Sequence, residues 1–307
     1  MALTLADHWM WDHWIVRHGG QHHLFFLRAS KALHNPDRRH WRASIGHAVS
    51  TDARAWTLLP DALVHSDGPA FDDQATWTGS AVTKDDGTLR LFYTGISRRE
   101  GGMVQRVGWA DSEDGVTFTR TCAEPVEADS RWYEKWNPSY PWDEPWRDPY
   151  VFRHEGRWHM LVTARRAGVD RLHAGVIGHA VSDDLDHWEV LEPLTEPSQF
   201  GQLEVSQSRF VDGKHLLVFS CGRDMQAAPC DGTVWVAEGE GPLGPWDVDG
   251  ARYIEPTHLY AGQVFEMAEG QWAFTGFDDG EDGIFRGVIP DPLPWNEVRL
   301  TQVTAKR

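Results

Sequence analysis

The sequence predicts an all-β fold: a five-bladed β-propeller with four antiparallel strands per blade, filling residues 1–307 as one domain. Three observations predict it. Short apolar or alternating runs bounded by Gly, Asp and Pro dominate, and helical periodicity is scarce. A phrase of glycine, small and apolar residues, Ser/Asp turn and aromatic recurs. Five stretches carrying unusual polar residues punctuate the chain at blade-sized spacing. On spacing alone a β-sandwich or two smaller β domains would also serve.

The runs come first. His23–Leu27, Leu89–Tyr93, Trp158–Val162 and Leu216–Ser220 read as strands. Acidic-glycine turns such as Asp85-Asp86-Gly87, His154-Glu155-Gly156 and Asp212-Gly213-Lys214 read as hairpin connections. The recurring phrase is Gly46–Asp52 followed by Trp56, Gly108–Asp114 followed by Phe118, and Gly178–Asp184 followed by Trp188. Its glycines at 46, 108 and 178 are 62 and 70 residues apart, room for about four short strands each. A weaker copy, Val234–Ala237, precedes Trp246. The five blade openings fall near Asp12, at Gly79-Ser80, at Arg147-Asp148-Pro149, at Glu204 and at Ala261-Gly262-Gln263. The first strand of each blade lines a propeller's central channel, so these distant residues converge on one funnel.

Composition narrows the function. The chain is 41% hydrophobic and carries a net charge of −17, with 17 Trp against 6 Tyr. No run of about 18 apolar residues exists, so no membrane span is expected. The acidic balance disfavours nucleic-acid and anionic-lipid partners, which need a basic footprint. Three cysteines make no disulfide framework, and the start has neither a basic segment nor a long apolar one, so a cytoplasmic protein is expected. The 16 His include no H-E-x-x-H and the cysteine spacing suits no zinc site, so neither metal nor cofactor is expected. Gly239–Gly244 matches G-x-G-x-x-G but contains Pro242 and leads into Trp246 rather than a helix, so it reads as a turn.

Three carboxylates stand out from the ordinary solvated ones. Asp12 sits among Trp9, Trp11 and Trp14, a setting suited to the base of a sugar pocket. Asp148 follows Arg147 and precedes Pro149. An ideal strand would send Arg147 and Asp148 to opposite faces, and the proline fits a strand start better than an interior. Glu204 lies in an alternating stretch. Two carboxylates flanking a glycosidic bond are the usual minimum for glycoside hydrolysis, one as acid and one as nucleophile or base.

These motifs resemble the clan of β-fructofuranosidases and fructosyltransferases, glycoside hydrolase families 32 and 68, across residues 7 to 290. Arg147-Asp148-Pro149 with Tyr150–Phe152 looks like the arginine-aspartate-proline block, and Trp77-Thr78-Gly79-Ser80 is similar to the substrate-binding stretch of blade two. Glu204 falls where the family keeps its acid/base glutamate, but Val205 stands where a cysteine is usual. Tyr260–Phe265 is similar to the last-blade motif of family 32. Trp9-Met10 matches family 32, whereas Trp11-Asp12-His13-Trp14 looks like family 68. The resemblance implies a five-bladed propeller without room here for the β-sandwich that usually follows it. It implies a retaining reaction on a fructose-containing oligosaccharide, with Asp12 attacking, Glu204 as acid/base and Asp148 holding hydroxyls. Trp11, Trp14, Trp77, Ser80, Arg147, Gln202, Tyr260 and Gln263 are the expected substrate-binding residues. Transfer to a sugar would use the same trio. An inverting furanosidase of the neighbouring arabinofuranosidase clan and a sugar-binding propeller without catalysis remain alternatives.

Overall fold

A computed structural model describes residues 2–228, 230–281 and 284–303. Four blades are meanders in which each strand pairs with the next. Blade one holds β1 (His8–His18), β2 (Gln21–Ser30), β3 (Ser44–Ser50) and β4 (Thr57–Leu63). Blade two holds β5 (Ala75–Thr83), β6 (Leu89–Ile96), β7 (Gln105–Ser112) and β8 (Thr119–Arg120). Blade three holds β9 (Trp146–His154), β10 (Arg157–Arg165), β11 (Gly175–Ser182) and β12 (Glu189–Leu191). Blade four holds β13 (Glu204–Val211), β14 (Lys214–Ser220), β15 (Val234–Gly239) and β16 (Arg252–Glu255). Blade five is built on β17 (Leu259–Ala268), β18 (Gln271–Asp278) and β19 (Leu293–Pro294).

The last two blades depart from a plain four-strand count. A final strand, β20 (Arg299–Gln302), adds to the outer edge of blade four beside β16. An isolated antiparallel bridge joins the chain of blade five to the other end of the protein. Leu3 N donates to Ile289 O at 2.8 Å and Ile289 N to Leu3 O at 3.2 Å, which ties the first residues to the last blade and closes the ring. Radial repetition leaves each blade only short, protected sheet edges. Among the described residues no helix is long and apolar enough to cross a membrane.

The repeat has a physical basis. Its glycines lie on the third strands under aromatic rings: a Cβ on Gly46 would meet Phe26 at 2.4 Å, and one on Gly108 would meet Phe71 at 2.3 Å. Its aspartates tie the turns. Asp52 Oδ1 accepts from the amides of Arg54 and Ala55, Asp114 Oδ1 from Val116 and Thr117, and Asp184 Oδ1 from Asp186 and His187. These amide bonds pull the Asp52 carboxyl down to about 2. Blades are also bolted together by charge. Arg90, 2% exposed, grips both oxygens of Asp111 at 2.7 Å and reaches Leu185 O and Asp186 in the next blade. The repeat's Trp188 meets Phe92 edge-on, whereas Trp41, before β3, is 39% exposed and lies 6.3 Å from Trp77.

Candidate active site

All five innermost strands break register at the same depth. The shifts fall between Trp11 and His13, between Trp77 and Gly79, opposite Leu161 and Thr163 for Asp148, between Glu204 and Gln207, and between Tyr260 and Gln263. Four of these bulges hold a non-glycine residue at positive φ: Asp12 (24°), Asp148 (57°), Val205 (50°) and Ala261 (48°). A bulge places two residues opposite one and cancels the alternation of faces. Trp11 and Asp12 therefore line the same cavity, as do Trp77 and Thr78, Arg147 and Asp148, and Glu204 and Val205. The sequence rule that separates Arg147 from Asp148 across a strand thus gives way here. Pro149 likewise sits inside β9 rather than at its start, because a bulge frees the residue from the hydrogen-bond ladder.

The cavity has a volume of about 380 Å³. Asp12, Asp148 and Glu204 enter it from blades one, three and four, and Trp11, Trp77, Arg147 and Tyr260 join them. Thr78 Oγ1 donates to Asp12 Oδ2 at 2.5 Å. Asp148 Oδ2 accepts from Thr163 Oγ1 at 2.8 Å and from the Val205 amide at 3.3 Å. Arg147 Nη2 donates to Glu204 Oε1 at 2.6 Å, and the Tyr260 hydroxyl donates to Glu204 Oε2. Arg147 Nε lies 3.6 Å from Asp148 Oδ2. Its Nη1 donates to Gln105 Oε1 at 3.0 Å and to Asp143 Oδ2 at 3.1 Å. Asp143 is held in turn by Gln105 at 2.7 Å and by the fully buried Arg165 at 3.0 Å.

Burial and mutual repulsion set the charges. Burial, aided by the charge of Asp148, lifts the Asp12 carboxyl to about 7 against the opposing bond from Thr78. Burial and Glu204 raise Asp148 to about 6 despite the nearby Arg147. For Arg147 burial works against the charge, but Glu204, Asp143 and Asp148 outweigh it and hold the guanidinium firmly protonated. Burial and Glu204 push the Tyr260 phenol well above 10, so it stays a donor.

The other expected binding residues lie elsewhere. Trp14, Ser80 and Gln263 line a second cavity of about 500 Å³ whose walls also come from the innermost strands and which meets the first at Asp148 and Val205. Trp14 stacks on Phe25 at 5.9 Å, Ser80 Oγ accepts from the Val151 amide at 3.0 Å, and Gln263 accepts from Gln207. Each therefore joins neighbouring strands or blades. Gln202 is 8% exposed and lines neither cavity. Sequence reasoning missed Arg39, His40, Thr78, Asp143 and Asp279, all of which line the carboxylate cavity. Only Thr78, inside a quoted motif, carried a signal. The rest come from connections whose length and course no motif fixes.

A ring of blades with three acidic side chains converging on a tryptophan-walled channel defines a class, the carboxylate-centred β-propellers. Within it, the chain belongs to glycosyl hydrolase family 32, whose N-terminal domain matches residues 4–227. The sucrose-6-phosphate hydrolase of Bacillus subtilis (strain 168) is 35% identical over 154 residues, 49% of this chain and 28% of that protein's length. The matched stretch thus spans less than a third of that relative. An inulosucrase from Halalkalicoccus jeotgali bound to kestose superposes with a TM-score of 0.77 at 22% identity, covering 98% of this chain and 89% of that one. A Bombyx mori β-fructofuranosidase superposes with a TM-score of 0.72 at 19% identity, covering 98% and 64%. These two likenesses are likenesses of fold.

Proposed function

We propose that this protein is a retaining glycosidase acting on β-fructofuranosides. One observation carries the reading: Asp12, Asp148 and Glu204, 136 and 56 residues apart in sequence, enter one cavity together. Family membership and the fructose-containing sugars named for its relatives support it. In this scheme Asp12 attacks the anomeric carbon while Glu204 gives a proton to the leaving oxygen. A fructosyl ester on Asp12 results. Glu204 then takes a proton from water, which cleaves the ester, or from a sugar hydroxyl, which transfers the fructosyl unit. Asp148 accepts from fructose hydroxyls and Arg147 orients Glu204. Trp11 and Trp77 wall the ring, and Trp77 is fixed by its Nε1 bond to His40 O at 2.7 Å. Three unpaired cysteines support a cytoplasmic site of action.

Incubation with sucrose, inulin, levan and aryl arabinofuranosides tests the reading. Free fructose is expected, or longer oligosaccharides if transfer dominates. Arabinose alone would establish the neighbouring furanosidase chemistry instead. Asp12→Asn and Glu204→Gln are each expected to lower kcat by at least about 10³-fold with the fold intact.

A further inference from the structure

Every cation in the carboxylate cavity but one is fully engaged. Arg147 is spread over Glu204, Asp143, Asp148 and Gln105. Arg39 is different. It comes from the 3-10 segment Pro36–Arg42 between β2 and β3, outside the ring of innermost strands, yet it lines the same cavity as Asp12 and Glu204. Its guanidinium lies 3.9 Å from the centre of the Phe285 ring and 5.5 Å from that of Trp11, the residue before Asp12. One nitrogen, Nη1, donates to Pro36 O at 3.1 Å. Its Nε is buried and has no hydrogen-bond partner among the described residues. A buried guanidinium nitrogen without an acceptor costs about 1–3 kcal/mol, more for a charged group. Solvent does not reach Nε, so a ligand oxygen would bind the guanidinium through Nη2, which meets no acceptor among the described residues. The aromatic faces hold the planar group in place, so little side-chain freedom remains to be lost on binding.

We infer that Arg39 is a substrate-binding residue of this site, donating to an oxygen of the bound sugar and placing its positive charge opposite the nucleophile Asp12. The inference rests on the fructosidase reading for the identity of the sugar. The charged and titratable groups that line the cavity with Asp12 are Asp143 before β9, Asp148 and Arg147 on β9, Glu204 on β13, Tyr260 on β17, Arg39 and His40 on the 3-10 segment, and Asp279 after β18. Among them Arg39 and Arg147 are the cations, and Arg147 is already shared by three carboxylates. The field of Arg39 opposes the burial that raises Asp12.

The test is steady-state kinetics of the full chain on sucrose and an inulin-type oligosaccharide, across pH, for wild type, Arg39→Gln and Arg39→Lys. A lost hydrogen bond from a charged donor predicts a fall in kcat/KM of about 10-fold or more in Arg39→Gln. The acid limb of kcat/KM is expected to move to higher pH in Arg39→Gln and to stay in place in Arg39→Lys, which keeps the charge but loses the fork. A limb that does not move in Arg39→Gln, or a kcat/KM within about two-fold of wild type, overturns the inference. If Arg39→Gln does not fold, Arg39→Lys decides: a kcat/KM equal to wild type overturns the inference, and a fall with an unmoved limb upholds it. An inactive wild type would defeat the fructosidase reading instead. The field on Asp12 is then read without substrate, from the pH at which the difference in thermal stability between wild type and Asp12→Asn stops growing, with and without Arg39→Gln. An upward move upholds the charge placement, and no move overturns it.

Discussion

Asp12→Asn is expected to destroy activity and to stabilise the fold, by an amount that grows from about pH 4 and is complete only above pH 7. Burial holds the Asp12 proton in the folded chain up to about pH 7, whereas an unfolded chain gives it up near 3.8, the ordinary aspartate value. Below pH 3.8 both states hold the proton and burial costs nothing. Between 3.8 and 7 the unfolded state releases its proton first, so this group's contribution to stability falls as pH rises. Above pH 7 the whole cost is present. At about 1.4 kcal/mol per tenfold in proton affinity, the rise from 3.8 to about 7 corresponds to roughly 4 kcal/mol.

Asparagine removes the charge and keeps an oxygen that can accept from Thr78. Part of the gain comes from relieving Asp148, whose charge is among the causes of the rise. Thermal and urea unfolding at pH 4 and pH 8.5 provide the assay. At roughly 2 °C per kcal/mol for a domain of this size, the expected gain in Tm at pH 8.5 approaches 8 °C, with almost none at pH 4. A gain of equal size at both pH values, or a loss at pH 8.5, would refute the claim that Asp12 is a desolvated carboxylate.

In the proposed scheme the same proton governs turnover. A nucleophile must be ionised, so kcat/KM is expected to rise with pH through about 7, and Thr78→Val, which removes a bond favouring the ionised form, should shift that limb upward in a pH-rate profile. Gly79→Ala is expected to lose about 3 kcal/mol or more in urea unfolding, because the new Cβ would stand 1.8 Å from Phe92 O on the adjacent strand. The stacked pair His23 and His47, joined at 3.0 Å, gives up protons at about 4 and about 3, burial being the main cause. The unfolded chain protonates first as pH falls below 6.5, so stability is lost from pH 6.5 down to about 4 for His23 and about 3 for His47. Replacing both with Phe should flatten that loss in acid melts.

The propeller was legible because its units repeat. The strands His23–Leu27, Leu89–Tyr93, Trp158–Val162 and Leu216–Ser220 all prove to be second strands, and the recurring phrase lies on the third. Convergence of Asp12, Asp148 and Glu204 followed from placing them on first strands. Depth within the channel was not legible. Ser80 and Gln263 lie beyond the bulges of β5 and β17, so they face the other cavity, and a linear motif does not say on which side of a bulge a residue falls. Trp14 is separated from Asp12 by one residue and still leaves the site for the same reason. Arg39 and Asp143 were illegible because they arrive from irregular connections, where burial decides function and periodicity is silent.

The bulges also explain how a rigid sheet can hold three acids close together. A regular first strand offers the channel only every second side chain, at about 6.6–7 Å intervals. Five such strands would present a sparse ring, with Arg147 turned away from Asp148. Breaking each strand at one depth packs two consecutive side chains from four blades into the same cavity. The cost is four non-glycine residues at positive φ, each about 1–3 kcal/mol above an ordinary strand conformation where strain is fully expressed. Aspartate tolerates the left-handed region better than most residues, and in blades one and three the acid itself occupies the strained position. In blade four the strain falls on Val205, a β-branched residue that tolerates it poorly, so that Glu204 can keep an extended backbone and reach Arg147 and Tyr260. Strain carried at the same depth in four blades has no use in packing alone. It is what brings the donors and acceptors of the site within hydrogen-bond reach of one another.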